Sequence, residues 1–220
     1  MTDKLRDLRQ KIDHLDDEIL GLVRARLSLS AAISAAKNGS GIFRPGREAQ
    51  VMHRLCAQAP EIAPATILSI WRQIVSGSIA QQDGTIQLAV HTDSLSTALW
   101  HFGDAMRVDE CADLDAAMAA MDGGAALAMV PCDLASDVAE TLYKAADRFI
   151  ISRTPLFAVE GVKPSYIIGA HLPDQSGQDQ TVFALPQDKG VDLVFGDGSC
   201  TNAADAGLPD TAKLIGLIAC

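Results

Sequence analysis

Residues 3–37, DKLRDLRQKIDHLDDEILGLVRARLSLSAAISAAK, decide how the first part of this chain folds. Leu5, Leu8, Ile12, Leu15, Ile19, Leu22, Leu29 and Ile33 recur mostly at steps of three and four, and no proline interrupts them. That spacing predicts one amphipathic helix. At a rise of about 1.5 Å per residue it would run roughly 50 Å, well beyond the usual globular helix, so its apolar stripe needs a partner. The stripe is not purely apolar. Arg9, Arg26 and Lys37 lie on or beside it, where a helix seam would take Leu or Ile. Cations aimed into an interface are costly unless an anion meets them, so this helix points to an anion-binding site as well as to a partner.

Working outward, the breaker cluster Asn38-Gly39-Ser40-Gly41 ends the first helix. A second helix is predicted over 45–58, with Pro45 in its first turn, and a third over 65–82, where Ile67, Leu68, Trp71, Ile74, Val75 and Ile79 keep helical spacing. Asp83-Gly84 reads as a hinge. From Thr85 the pattern changes to short β-type runs alternating with Ala-rich segments. Strands are predicted at 86–90, 106–111, 126–131, 149–152, 166–168, 181–185, 191–195 and 214–218, and helices at 95–102, 114–121 and 134–148. The expected architecture is an all-α three-helix module over 1–84 followed by an α/β domain over 85–220 built on an open sheet. The segment 173–180, PDQSGQDQ, reads as exposed or ligand-facing.

Charge supports that division. Residues 1–82 carry 11 Lys and Arg against 8 Asp and Glu, and the remainder carries 7 against 20, so a segment of net charge +3 precedes one of −13. A chain this acidic, with its cations spread along a helix, is a poor nucleic-acid binder. The five cysteines, Cys56, Cys111, Cys132, Cys200 and Cys220, form no C-x-x-C, and neither a disulfide framework nor a metal site is indicated. A reducing, cytoplasmic setting fits that usage. The N-terminus is charged from Asp3 and no apolar run approaches membrane-spanning length, so no membrane association is expected.

The polar residues of the three helices form a constellation. Arg26 and Lys37, 11 residues and nearly three turns apart, share a helix face about 16 Å apart and could grip opposite ends of a small anion. Arg9 lies about 25 Å before Arg26 and a quarter-turn off that face. It cannot reach the same ligand within one chain, but it approaches Arg26 of a second chain if two such helices pair antiparallel. Ser78 and Gln82 place a hydroxyl and an amide on one face of the third helix, although Gln81 competes for the second role. Arg47 and Glu48 add a cation and a carboxylate at the start of the second helix. Taken singly, each cation is an ordinary solvated charge, Glu48 a partner of a helix dipole and Ser78, beside Gly77 and Ser76, a small residue that permits close helix packing. Only their order and spacing point to a site.

The succession Leu8-Arg9-Gln10-Lys11-Ile12-Asp13 with Leu15-Asp16, then Arg26, Lys37, Pro45-Gly46-Arg47-Glu48, and finally Ser78 with Gln82, resembles the all-helical chorismate mutases over about residues 5–82. The resemblance implies an intertwined helical homodimer with shared active sites. It also implies an isomerase that converts chorismate to prephenate in aromatic amino-acid biosynthesis without a cofactor. Carried onto matching positions, it implies that Arg26 and the partner's Arg9 bind the two substrate carboxylates. Lys37 and Gln82 donate to the ether oxygen, Arg47 and Ser78 assist binding, and Glu48 accepts from the ring hydroxyl. Lys37, Gln82, Arg26 and Glu48 are thus the expected catalytic set, and Arg9, Arg26, Arg47 and Ser78 the expected binding set. Some relatives carry an acidic residue about a turn before Arg47, where this chain has Phe43-Arg44.

Two other readings share the scaffold. One is elimination of pyruvate from isochorismate, and the other is a non-catalytic dimerisation module serving a small-molecule-sensing domain. The segment from 86 to 133 faintly resembles the first lobe of prephenate dehydratases. Those enzymes carry a Thr-Arg-Phe motif for which the nearest string here is Asp147-Arg148-Phe149, so the second half is expected to be a regulatory or degenerate relative without dehydratase activity.

Overall fold

The computed structural model describes residues 2–36, 43–82, 86–103 and 106–220, with the side chains of residues 2, 34 and 82 outside that description. Three helices come first: α1 (Thr2–Ala36), α2 (Pro45–Gln58) and α3 (Pro64–Gln82). They are followed by β1 (Gln87–His91), α4 (Leu95–Phe102), β2 (Arg107–Cys111), α5 (Leu114–Asp122), β3 (Leu127–Pro131) and α6 (Ala135–Lys144). The chain continues through β4 (Phe149–Thr154), β5 (Ser165–Gly169), β6 (Asp179–Gln187), β7 (Gly190–Asp197) and β8 (Lys213–Ala219). The eight strands form one mixed sheet in the order β2-β1-β3-β5-β4-β8-β6-β7. β1 runs parallel to β2 and β3, and β4 parallel to β8, while the remaining neighbours are antiparallel.

Period-two alternation divides the sheet residues between two faces, and both faces are covered. Ala89, Ala128, Val130, Tyr166 and Ile168 pack with Leu114, Ala117 and Met121 of α5 and with Val138 and Leu142 of α6. On the other face Leu88, Val90, Met129, Ile151 and Ile167 pack with Ala98 and Phe102 of α4, and with Met52 of α2 and Leu68, Val75 and Ile79 of α3. The second and third helices therefore form an outer layer of the sheet and share its core. Each such side chain removed from water contributes about 1.5–3 kcal/mol, whereas an exposed ion pair contributes about 0–1 kcal/mol. The Arg44–Asp174 pair, with both side chains well exposed, is a minor tether beside that apolar contact.

α1 behaves differently along its length. Val23, Arg26, Leu27 and Ser30 are half-buried at steps of three, one and three, and Leu27 lies over Gly77 of α3, whose added Cβ would sit 3.9 Å from Leu27 Cδ2. Residues 3–22 are exposed throughout, and the large apolar side chains stand bare, from 47% exposed at Leu20 to 72% at Leu22.

Some expectations change in the folded chain. α6 was expected to run to Arg148 but stops at Lys144, because Lys213 of β8 donates Nζ hydrogen bonds to the carbonyls of Leu142 (3.1 Å), Tyr143 (2.9 Å) and Ala145. An ammonium there satisfies carbonyls that a longer helix would have used internally. The segment 173–180 is exposed at Asp174, Gln175, Gly177 and Gln178, as expected, and its first part also rests against α2. Gln50 of α2 donates to the carbonyls of Gln175 and Ser176 at 3.3 and 3.1 Å, and Arg44 Nε donates to Asp174 at 2.8 Å. Gly46 makes this approach possible, since a Cβ there would lie 2.0 Å from the Asp174 carbonyl oxygen. Gly46→Ala is expected to destabilise the protein by about 1–3 kcal/mol through overpacking, read as a lowered denaturation midpoint with unchanged m-value.

Candidate active site at the junction of the three helices

Arg26 stands where α1 leaves its free portion and meets α3. Its Nη1 donates to Ser78 Oγ at 2.9 Å and lies 3.5 Å from the Ile74 carbonyl. Ser78 is buried, and its own hydroxyl proton goes to the Ile74 carbonyl at 3.0 Å, one turn back along α3. That back-bond leaves the Ser78 lone pairs facing Arg26. Ser78 thus orients the guanidinium. Burial pulls the Arg26 pKa down from its ordinary value while the Glu48 carboxylate pulls it up, and the group stays charged at any ordinary pH.

Glu48 lies in the first turn of α2, directly after the Pro45-Gly46 start, where a carboxylate suits the helix dipole. Its Oε2 accepts from Nη2 of Arg72. Arg72 is only 5% exposed, with Nη1 2.6 Å from His101 Nε2. On the far side of the imidazole, Nδ1 lies 2.6 Å from Thr154 Oγ1 of β4. Arginine has no acceptor, so Nε2 must be the unprotonated nitrogen and Nδ1 the one that donates to the threonine. The Arg72 Nε is buried and meets no partner among the described residues. A cavity of about 30 Å³, room for one water, lies beside this group between Pro45, Glu48, Arg72, His101 and Thr154.

The structure therefore brings Arg26, Ser78 and Glu48 together. Arg47 points outward one residue before Glu48, with Nη1 donating to Gln50 Oε1 at 3.2 Å. Arg9 is exposed on the free portion of α1. Lys37 and the Gln82 side chain lie outside the described residues, although Gln82 is the last residue of α3. Arg72, His101 and Thr154 were not read from the sequence as site residues. The available signals were a cation inside the apolar Ile70-Trp71 to Ile74-Val75 run and a histidine between Trp100 and Phe102. In the second half, Arg148 pairs with Asp122 and Asp147 at 3.0 and 2.7 Å, which commits it to surface ion pairs.

Burial, followed by the adjacent Arg72 charge, pushes the His101 pKa well below its ordinary 6.5. The folded protein keeps this imidazole neutral while the unfolded chain protonates it near 6.5. Its contribution to stability is full above that pH and is lost as the pH falls below it. Thermal melts between pH 8 and 5.5 should show a larger fall for the wild type than for His101→Gln, which has no imidazole to protonate at that position.

The family model for chorismate mutase type II matches residues 8–83, the stretch that carries α1, α2 and α3. No curated protein and no solved structure matches the chain. Among the described residues, no helix is long and apolar enough to cross a membrane.

Proposed function

We propose that this protein, whose helical segment belongs to the chorismate mutase type II family, converts chorismate to prephenate and so supplies aromatic amino-acid synthesis. The observation that carries the reading is Arg26, a half-buried cation clamped by Ser78 and set opposite the carboxylate of Glu48 at the meeting point of three helices. The rearrangement breaks a C–O bond and forms a C–C bond within one molecule. No nucleophile or proton relay is required. Negative charge grows on the ether oxygen as its bond stretches, and fixed donors aimed at it stabilise the transition state more than the ground state.

In this reading Lys37 and Gln82 supply those donors, Arg26 and the partner's Arg9 hold the two carboxylates, and Glu48 accepts from the ring hydroxyl. Arg47 and Ser78 assist binding, Ser78 by fixing Arg26. Holding the substrate in its compact shape supplies the rest as orientation. The bare half of α1 supports a homodimer. Leu5, Leu8, Ile12, Leu15, Ile19 and Leu22 are all exposed in the single chain, and each would contribute about 1.5–3 kcal/mol if a second copy covered it fully. The same pairing brings Arg9 of one protomer toward Arg26 of the other.

Incubation of the purified chain with chorismate should yield prephenate, and with isochorismate no pyruvate. Absence of prephenate would overturn the reading. Lys37→Ala should lower kcat/KM by about 10²–10³-fold, the usual loss for one donor at a developing charge, and Arg26→Ala by about 10²-fold, the loss of one desolvated charge pair with a substrate carboxylate. Ile19→Asp should give monomers by light scattering and abolish turnover with them, because the partner's Arg9 is then withdrawn. An active monomer would refute the shared site.

A further inference from the structure

Glu48 stands between two guanidiniums. One is Arg72, which it contacts, and the other is Arg26, whose charge it affects without a direct bond. The two cations are not equivalent. Arg26 sits at the helix junction and is half-exposed, while Arg72 is buried against α4 and β4. Where Glu48 leans decides how much positive charge Arg26 retains for a ligand. If the carboxylate turned to Arg26, the pair would neutralise itself and a dicarboxylate would meet a weaker field.

What holds Glu48 on the Arg72 side comes from outside the three helices. Arg72 is aimed by His101, and His101 is aimed by Thr154, so the line of hydrogen bonds passes from α2 through α3 and α4 to the sheet. α4 is itself pinned to α3. Ser76 Oγ donates to the Phe102 carbonyl, and Gln73 Nε2 donates to the Trp100 carbonyl at 3.4 Å, on either side of His101. Among the described residues Glu48 Oε1 accepts no hydrogen bond, so Arg72 occupies one carboxylate oxygen and leaves the other for a hydroxyl.

We propose that His101 and Arg72 are positioning residues of the mutase site: His101, contributed by the α/β part of the chain, aims the Arg72 guanidinium at Glu48, keeping Glu48 off Arg26 and one oxygen free for the substrate. The sheet is then part of the reaction machinery through a neutral imidazole. The inference rests on the chorismate mutase reading and deepens it.

The test uses the full-length chain and steady-state kinetics with chorismate. His101→Leu removes the acceptor for Arg72, so Glu48 turns toward Arg26. KM should rise about tenfold, with kcat changing less, a loss of the size expected for one buried hydrogen bond. His101→Gln places an amide oxygen near the Nε2 position and should restore KM to within about twofold of wild type. A purely structural role predicts something else: a smaller active fraction lowers apparent kcat and leaves KM alone. Should His101→Leu fail to fold, Thr154→Val provides the second arm, since it frees the imidazole without opening a large void and should raise KM by about threefold. Unchanged KM in the foldable variants of an active protein overturns the relay alone. A wild-type chain that makes no prephenate overturns the mutase reading and the relay together.

Discussion

A guanidinium taken out of water needs a counter-charge and hydrogen bonds, and the two Nη groups of Arg72 are served by groups drawn from three separate elements, while its Nε meets no partner among the described residues. Glu48 of α2 supplies the charge, His101 of α4 a neutral acceptor, and Thr154 of β4 the hydroxyl that fixes the imidazole. Losing any one would leave a buried polar group unsatisfied, which is costlier than never having built the pair. The positions of α2, α3, α4 and β4 are therefore tied to one another at a single point, and Glu48 is held as a consequence.

The apolar contacts carry the larger energy and the polar line carries the direction. Met52, Leu68, Val75 and Ile79 seat α2 and α3 on the sheet face, but side chains of that kind tolerate small rotations of a helix. The hydrogen bonds from Arg72 to Glu48 and His101 do not. Gly46 and the 173–176 segment add a steric stop at the start of α2, where the backbones meet too closely for a Cβ. Together these contacts hold α2, from which Arg47 and Glu48 project, both at its start and along its apolar face.

α1 is the opposite case. Around Arg26 it is anchored on α3 through Leu27, Gly77 and Ser78, and over residues 3–22 nothing among the described residues covers it. An apolar stripe of that length left in water has no energetic basis in a single protomer. The conformational demand on the free half and the charge demand at Arg26 both call for components beyond one chain's own packing.

The sequence by itself determined what depends on local periodicity. The three helices, the eight strands and the residues that alternate between sheet faces follow from spacing of apolar side chains, because burial of one stripe or one face is a property of neighbours along the chain. It also determined Arg26, Glu48 and Ser78 as members of one group, since their order matches a known constellation. Tertiary structure alone decided the rest. Where α6 stops depends on Lys213, 69 residues beyond its last residue Lys144. The second and third helices turn out to be an outer layer of the sheet because their apolar faces meet Leu88, Met129 and Ile167, which no window of sequence contains together. Arg72 and His101 belonged to no motif in the sequence, and folding removed both from water. Long-range contact creates that desolvation, and the pattern along the chain does not record it.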